Sequence, residues 1–383
     1  MRIGIDATNL GSGGGITHLK EILTSFNISS LSANQKIIIF SSTEVLDQLP
    51  EMVQVEKITF TGLNRNLFNR IFFQLFFYDK EIKRRCDILL SITGDYIGAF
   101  RPVVGISQNM LLYEREIWKK IKQPSEILRF WLIYQKQKIS FGNSEAIIFI
   151  SDYARKYISK KLNIKDKETT IIHHGISTRF IKKVKSQKTI TEYSFSNPFK
   201  FLYVSTIHEY KNQWNVVEAV GILREKGFPI ELSLVGGVIF KPAGRKLEMS
   251  IQKVDPINAF IHNHGHVSYD EIDEFYNSND GIIFASTCEN MPNILIESMA
   301  SGIPIASSNK QPMPEFLKEN GFYFDAYSVD SIVKTLIEFL NSPQEREINA
   351  INALKEASKY SWEETSEKTF EFLTSIYKDR QYV

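Results

Sequence analysis

Ser286-Thr-Cys-Glu-Asn-Met-Pro-Asn-Ile-Leu-Ile-Glu-Ser-Met-Ala-Ser-Gly-Ile-Pro304 follows directly on the apolar run Gly281-Ile-Ile-Phe-Ala285. An unbroken apolar run of this length reads as a strand buried on both faces of a parallel sheet. Pro292-Asn293 breaks the chain, Asn293 is suited to cap a helix through about Ala300, and Gly302 and Pro304 close that helix before a strand from Ile303 to Ala306. Strand, polar loop, helix and strand together offer unpaired backbone N–H groups and a positive dipole end to an anion. Two carboxylates stand there, Glu289 in the loop and Glu297 about one turn into the helix. Carboxylates accept hydrogen bonds from hydroxyls, so the pair suits a ligand with sugar hydroxyls beside phosphate.

The spacing Glu289-x7-Glu297, within Cys-Glu-Asn-Met-Pro-Asn-Ile-Leu-Ile-Glu-Ser-Met-Ala-Ser-Gly-Ile-Pro, resembles the signature of retaining glycosyltransferases of family 4. The resemblance implies a GT-B fold of the α/β class: two Rossmann-like domains facing across a cleft, with a C-terminal helix crossing back to the first. It also implies that Glu289 approaches a donor sugar and Glu297 holds a nucleotide ribose. The backbone of Asn290, Met291, Pro292 and Asn293 would then face the diphosphate. The competing reading is two solvated carboxylates around a helix start.

With 383 residues, 43% of them hydrophobic and 23% charged, the chain has the size of two ordinary soluble domains. Cys86 and Cys288 are its two cysteines and lie far apart, so a reducing compartment is expected. Arg2 to Asp6 reads as a strand rather than part of a signal peptide, and no run of 18 apolar residues occurs. A cytoplasmic location is expected, extending to the inner face of the cytoplasmic membrane. The net charge of +2 hides an asymmetry. Residues 1–183 hold 27 Lys+Arg against 17 Asp+Glu, or +10, and the rest holds 19 against 27, or −8. A basic first half suggests an anionic membrane surface or a phosphate-bearing acceptor; solvated helix faces with no partner are the alternative.

Strands alternate with helical stretches throughout, which argues for parallel α/β sheets. The strand Ile3 to Asp6 is followed by Gly11-Ser-Gly-Gly-Gly15 and a helix from about Ile16 to Phe26. This loop is neither a G-x-G-x-x-G fingerprint nor a P-loop. By resemblance it is the family's glycine loop, with Gly14, Gly15 and His18 facing the cleft. Lys36 to Phe40, Val53 to Phe60, Asp87 to Ser91, Pro102 to Ser107 and Glu145 to Ile150 read as further strands. Leu67 to Tyr78 is apolar nearly all round, and the preferred reading is a buried core helix, with docking on a bilayer or an acceptor lipid as the alternative. Gln108 and Asn109 stand where the family often has His-Asp. A neutral amide hydrogen-bonds but does not shuttle a proton, so a positioning role is expected rather than a general base. Residues 114–140 form a charged, aromatic-rich stretch, expected to be helical from Ser125. Ser151 caps a helix, and Thr169 to His174 with Gly175 ends the first domain.

The expected divisions are 1–183, an acceptor-binding domain; 184–360, a nucleotide-sugar domain; and 361–383, a helix packing back on the first. In the second, the strand Phe199 to Ser205 leads to Lys211 at a loop-to-helix junction, where an ammonium can meet diphosphate oxygens. The family places an Arg six residues earlier; here that residue is Ser205. Gly265 to Ser268 resembles the loop whose backbone, at Val267, reads the nucleobase edge. His262, His264 and His266 alternate, but no Cys or carboxylate completes a metal set, and none is expected to bind metal.

No Asp-x-Asp occurs in the chain, so metal-independent chemistry with no cofactor is expected, the donor being a UDP- or GDP-sugar. No loop of the first domain offers an evident carboxylate for double displacement. The resemblance instead implies front-face substitution, in which the departing phosphate oxygen takes the acceptor's proton. The expected function is transfer of a sugar to a glycan or lipid-linked oligosaccharide in bacterial O-antigen or capsule assembly, with no nucleic-acid partner. Competing readings are a sugar-nucleotide isomerase or hydrolase of the same architecture, and a non-catalytic nucleotide-binding protein.

Overall fold

The computed structural model describes residues 1–11, 13–26, 36–65, 67–121 and 123–380. The chain divides into two compact units: residues 1–113, 123–175 and 360–383 in the first, and 114–122 with 176–359 in the second.

The described strands of the first unit are β1 (Arg2–Asp6), β2 (Lys36–Phe40), β3 (Val55–Ile58), β4 (Ile88–Ser91), β5 (Val103–Ser107), β6 (Ala146–Phe149) and β7 (Glu168–Ile171). They pair in parallel in the order β3-β2-β1-β4-β5-β6-β7. Those of the second are β8 (Phe199–Val204), β9 (Ile230–Val235), β10 (Ile261–Gly265), β11 (Gly281–Phe284), β12 (Ile305–Ser308) and β13 (Phe322–Phe324), in the order β10-β9-β8-β11-β12-β13. Central strands such as Gly281-Ile-Ile-Phe284 are buried along their whole length because helices cover both sheet faces. The expected pair of Rossmann-like sheets is therefore present. In each, strand order reverses once, between β1 and β4 and between β8 and β11. Such reversals leave a crevice at the carboxyl ends of the strands, where side chains can converge on a ligand.

The last helix, Trp362–Asp379, packs within the first unit. Its N-cap Ser361 accepts from Glu364 N at 3.1 Å, Ser366 Oγ donates to Ile22 O at 2.7 Å, and Phe370 meets Phe26 at 4.1 Å between ring centroids. Gly175 makes this return possible. A Cβ there would lie 2.1 Å from the Trp362 backbone nitrogen, so any side chain would push the segment away.

Several local expectations need correction. The first helix runs Gly14–Thr24, so Gly14 and Gly15 form its opening turn, and the left-handed residue is Gly13 at φ 79°. A short helix, Arg115–Lys120, precedes the expected one (Pro124–Asn143) and packs in the second unit beside the 209–211 turn. The stretch read as a buried helix forms Leu67–Phe76, and its apolar side is exposed. Phe73 and Gln74 supply its inner face: Phe73 joins the core, while Gln74 Nε2 donates to Thr8 Oγ1 and Asn9 Oδ1 at 2.9 and 3.1 Å.

Candidate functional site

At the β8/β11 reversal the chain after each strand turns sharply. Residues 209–211 form a single 3-10 turn ended by Asn212 in the left-handed region at φ 52°. The Asn212 amide donates to Tyr210 O and Ala285 O, both at 3.0 Å, and Thr287 N donates to Tyr210 O at 2.9 Å. These bonds stitch the loop after β8 to the loop after β11. Tyr203 Oη, from inside β8, donates to Lys211 O at 2.5 Å. Burial pushes the Tyr203 phenol well up, with the Glu289 charge adding to it, so the hydroxyl stays a donor.

The stitching delivers Lys211 Nζ to Glu289 Oε1 in a hydrogen-bonded ion pair, the side chains 6% and 16% exposed. Ser286 Oγ donates to the same carboxylate oxygen at 2.5 Å. An ammonium has three N–H donors; one is used here, which leaves two for anionic oxygens at the neighbouring helix start. That helix is Asn293–Ala300. Asn293 was expected to cap it; the cap position is Pro292 instead, with no side-chain bond, and Asn293 is the first helical residue. Asn290 and Met291 are buried beside it.

Glu297, on the second turn of this helix, is buried and accepts from Tyr269 Oη at 2.9 Å. Burial pushes its pKa up to about 7, eased by the Tyr269 hydrogen bond and by Arg179. The Arg179 guanidinium lies 3.9 Å from the Tyr269 ring centroid and pairs with Asp270 at 2.8 Å. Val267 is half-buried in the segment that follows β10. His262 Nε2 lies 3.5 Å from Glu231 on the neighbouring strand, and His264 packs against Phe275.

Ser205, where the resemblance would have an arginine, is buried and donates to Thr206 O at 3.1 Å. Its carbonyl abuts Gly236, where a Cβ would come within 2.0 Å of Ser205 O. A cationic helix reaches the same turn from elsewhere in the sequence. Arg115–Lys120 packs beside residues 209–211, and Lys120 Nζ sits 3.3 Å above the Tyr327 ring. No sequence signal marked it, because it belongs to the first half of the chain.

The remaining candidates stand in the first unit. Gly15 neighbours Gln108, whose Nε2 lies 2.7 Å from His18 Nδ1 and donates to Ile92 O at 3.0 Å. His18 was expected to be open to ligand. Instead it is buried, stacked 4.3 Å from His174, with Trp362 at 5.9 Å. Burial, then His174, pushes its pKa well below the usual histidine value, so the ring is neutral and accepts from the amide. Asn109 is exposed, and its Oδ1 accepts from Leu111 N at 3.0 Å, a turn-forming bond.

Two carboxylates that sequence reading did not single out stand at the β1/β4 reversal of the first unit. Asp6 and Asp95 line one pocket with Gln74, Tyr78 and Lys136. Asp6 accepts from Thr8 Oγ1 at 2.7 Å and Tyr78 Oη at 2.9 Å; Asp95 pairs with Lys136 at 2.9 Å. Burial, then the Asp95 charge, raises the Asp6 pKa. Sequence reading missed both because each stands alone in the chain and only the strand order joins them.

Residues 185–356 match the family model described as glycosyl transferases group 1. O-antigen chain mannosyltransferase B of Escherichia coli is 22% identical over 235 residues, 60% of each chain, so the match spans less than two thirds of that relative. Two solved structures share the fold over nearly their whole length. Sucrose-phosphate synthase from Thermosynechococcus elongatus superposes with TM-score 0.76 at 14% identity, covering 99% of both chains. Anabaena HepE, solved with UDP and glucose, gives 0.73 at 17% identity, covering 98% of this chain and all of that one. The chain therefore has the GT-B fold.

Proposed function

We propose that this protein is a retaining, metal-independent glycosyltransferase. It moves a sugar from a UDP- or GDP-sugar to a glycan or lipid-linked glycan in bacterial surface polysaccharide assembly, O-antigen or capsule. One observation carries the reading: the ion pair of buried Lys211 with half-buried Glu289 just before the Asn293–Ala300 helix. A fixed ammonium and helix N–H groups suit a leaving diphosphate, and the carboxylate beside them suits sugar hydroxyls. The names of the relatives, a mannosyltransferase of O-antigen and a HepE structure holding UDP and glucose, support both donor and pathway class.

In the proposed step the acceptor hydroxyl attacks the anomeric carbon on the face the diphosphate leaves. The carbon–oxygen bond to phosphate breaks, and the acceptor's proton passes to the departing phosphate oxygen. Lys211 and backbone N–H groups from the 289–293 loop, in which Pro292 has none, stabilise the negative charge that grows there. Glu297 accepts from ribose hydroxyls, which take the place of the Tyr269 hydroxyl on its carboxylate. Asp6 and Asp95 do not supply a double-displacement nucleophile in this reading. Asp6 is held toward its protonated form and Asp95 is paired with Lys136. Gln108 and Asn109 position substrate.

The test is a melting-temperature screen of UDP-, GDP- and ADP-sugars on the parent chain and on Glu289→Gln, with transfer assayed on glycan acceptors. One UDP- or GDP-sugar is expected to raise the melting temperature of the parent, since a ligand that binds the folded state stabilises it by mass action. Glu289→Gln is expected to lose transfer by about a hundredfold or more, the scale of removing one electrostatic contact to a transition state. Full transfer activity in that variant removes Glu289 from the mechanism. Turnover of donor without acceptor favours an isomerase or hydrolase.

A further inference from the structure

The Leu67–Phe76 helix is amphipathic with the wrong side out. Phe68, Ile71, Phe72, Leu75 and Phe76 follow the spacing i, i+3, i+4, i+7, i+8 of one helix face, and each is between 46% and 76% exposed. The opposite face turns Phe73 and Gln74 inward. The Pro124–Asn143 helix repeats the pattern. Leu128, Trp131, Leu132 and Ile139 share one exposed face, while Phe130, Gln137 and Phe141 are buried. Both helices border the same carboxylate pocket, Gln74 from one and Lys136 from the other, so both lie at the carboxyl end of the first unit's sheet. Exposed basic side chains accompany the two helices: Arg65 just precedes the first, Lys80 follows it in the Tyr78–Arg85 helix, and Lys138 lies on the second. No described helix is long and apolar enough to cross a membrane.

We infer that these two helix faces insert into the interface of an anionic bilayer. A large apolar face in water is costly, and two on one end of a unit mark a contact surface. The charge selects the occupant. A second copy of this chain would bring two like-charged units together (23 Lys+Arg against 20 Asp+Glu, or +3, over residues 1–113, 123–175 and 360–383), whereas anionic headgroups attract them. Magnitudes decide which force dominates. Each large apolar side chain withdrawn from water favours partitioning by about tenfold or more, so five give about a hundred-thousandfold. Each basic residue near an anionic surface gives about fivefold, so three give about a hundredfold. Binding is therefore chiefly apolar and survives salt. This docking deepens the proposed function, resting on it for the identity of a lipid-borne acceptor and not for the contact with lipid.

The experiment sediments the full chain with vesicles of phosphatidylethanolamine and phosphatidylglycerol, at low and high salt, and with vesicles of phosphatidylcholine. Two variants accompany it, Phe68→Ser/Phe72→Ser/Phe76→Ser and Arg65→Gln/Lys80→Gln/Lys138→Gln; melting temperature and the nucleotide-sugar shift serve as controls. The parent is expected to prefer the anionic vesicles and to stay bound at high salt. The aromatic variant loses about a thousandfold in partitioning. The basic variant loses about a hundredfold, together with the preference for anionic lipid. Both keep the parent's melting temperature and nucleotide-sugar shift. Unchanged vesicle binding by the aromatic variant overturns the inference. So does a parent that forms a dimer, lost in that variant, while neither sediments with lipid. Vesicle binding without any nucleotide-sugar shift upholds the docking and sinks the proposed function.

Discussion

Glu297 shows how one buried carboxylate couples protonation to ligand binding. Its pKa, raised from 4.5 to about 7 by burial, means that the folded chain holds the proton more tightly than the unfolded chain does. The stability this contributes is complete below about pH 4.5 and is lost as pH rises through about 7. Donor binding runs the other way, because an ionised carboxylate accepts ribose hydroxyls better than a protonated one. The affinity for a nucleotide sugar is therefore expected to rise between pH 6 and 8, by up to about tenfold. Titration calorimetry across that range checks it, and Glu297→Gln should flatten the profile. Tyr269 donates to this carboxyl, and Arg179 and Tyr276 lie within range of its charge. A slope that persists in Glu297→Gln assigns the titration elsewhere. Glu297 and its spacing from Glu289 were readable in the sequence. Tyr269 as its partner was not, because it stands 28 residues away in another element.

At the scale of elements, a fully buried arginine does work that no motif announces. Arg346, in the Pro343–Ala357 helix, donates to Phe339 O and Leu340 O at 2.9 and 3.0 Å, satisfying the end of the Val329–Asn341 helix. It also donates to Lys188 O at 2.5 Å and Gln187 Oε1 at 3.1 Å, pinning the irregular segment that enters the second unit. Burial lowers its pKa, yet a guanidinium stays charged, so its carbonyl partners are what make the site tenable. Arg346→Met keeps the stem and removes the donors, leaving buried carbonyls unpaired. Denaturant titration is expected to show a loss of about 3 kcal/mol, and a change below about 1 kcal/mol would contradict the pinning role. Residues 180–198 read from sequence as a polar, Lys/Ser-rich linker with no clear period, which carries no sign of this anchor. An arginine in an amphipathic helix reads as surface until the tertiary fold closes over it.

At the scale of the molecule, the chain's last residues complete a unit begun by its first. Trp362 packs near His18 and His174, and Leu373, Phe370 and Ile376 are buried in the first unit. Removing residues 360–383 strips that unit of a covering helix while the second unit keeps all its own strands. Calorimetry of the truncated chain is expected to show one transition near the parent's melting temperature, displaced by ligand if the donor reading holds. The other should be lost or lowered by more than about 10 °C, given several buried large side chains at about 1.5–3 kcal/mol each. Two unchanged transitions would show that the first unit does not depend on this helix.

The sequence by itself determined the alternation of apolar strands and amphipathic helices, hence two parallel sheets, because periodicity is a local property that side-chain spacing encodes directly. It also determined the loop-to-helix unit carrying Glu289 and Glu297. The tertiary structure alone decided which distant side chains meet: Lys211 with Glu289, Asp6 with Asp95, Arg346 with residues 187–188. It also decided that the Leu67–Phe76 helix shows its apolar face to solvent. Those outcomes follow from strand order and from which face each helix lays on its sheet, and both are settled by competition among long-range contacts that no short stretch contains.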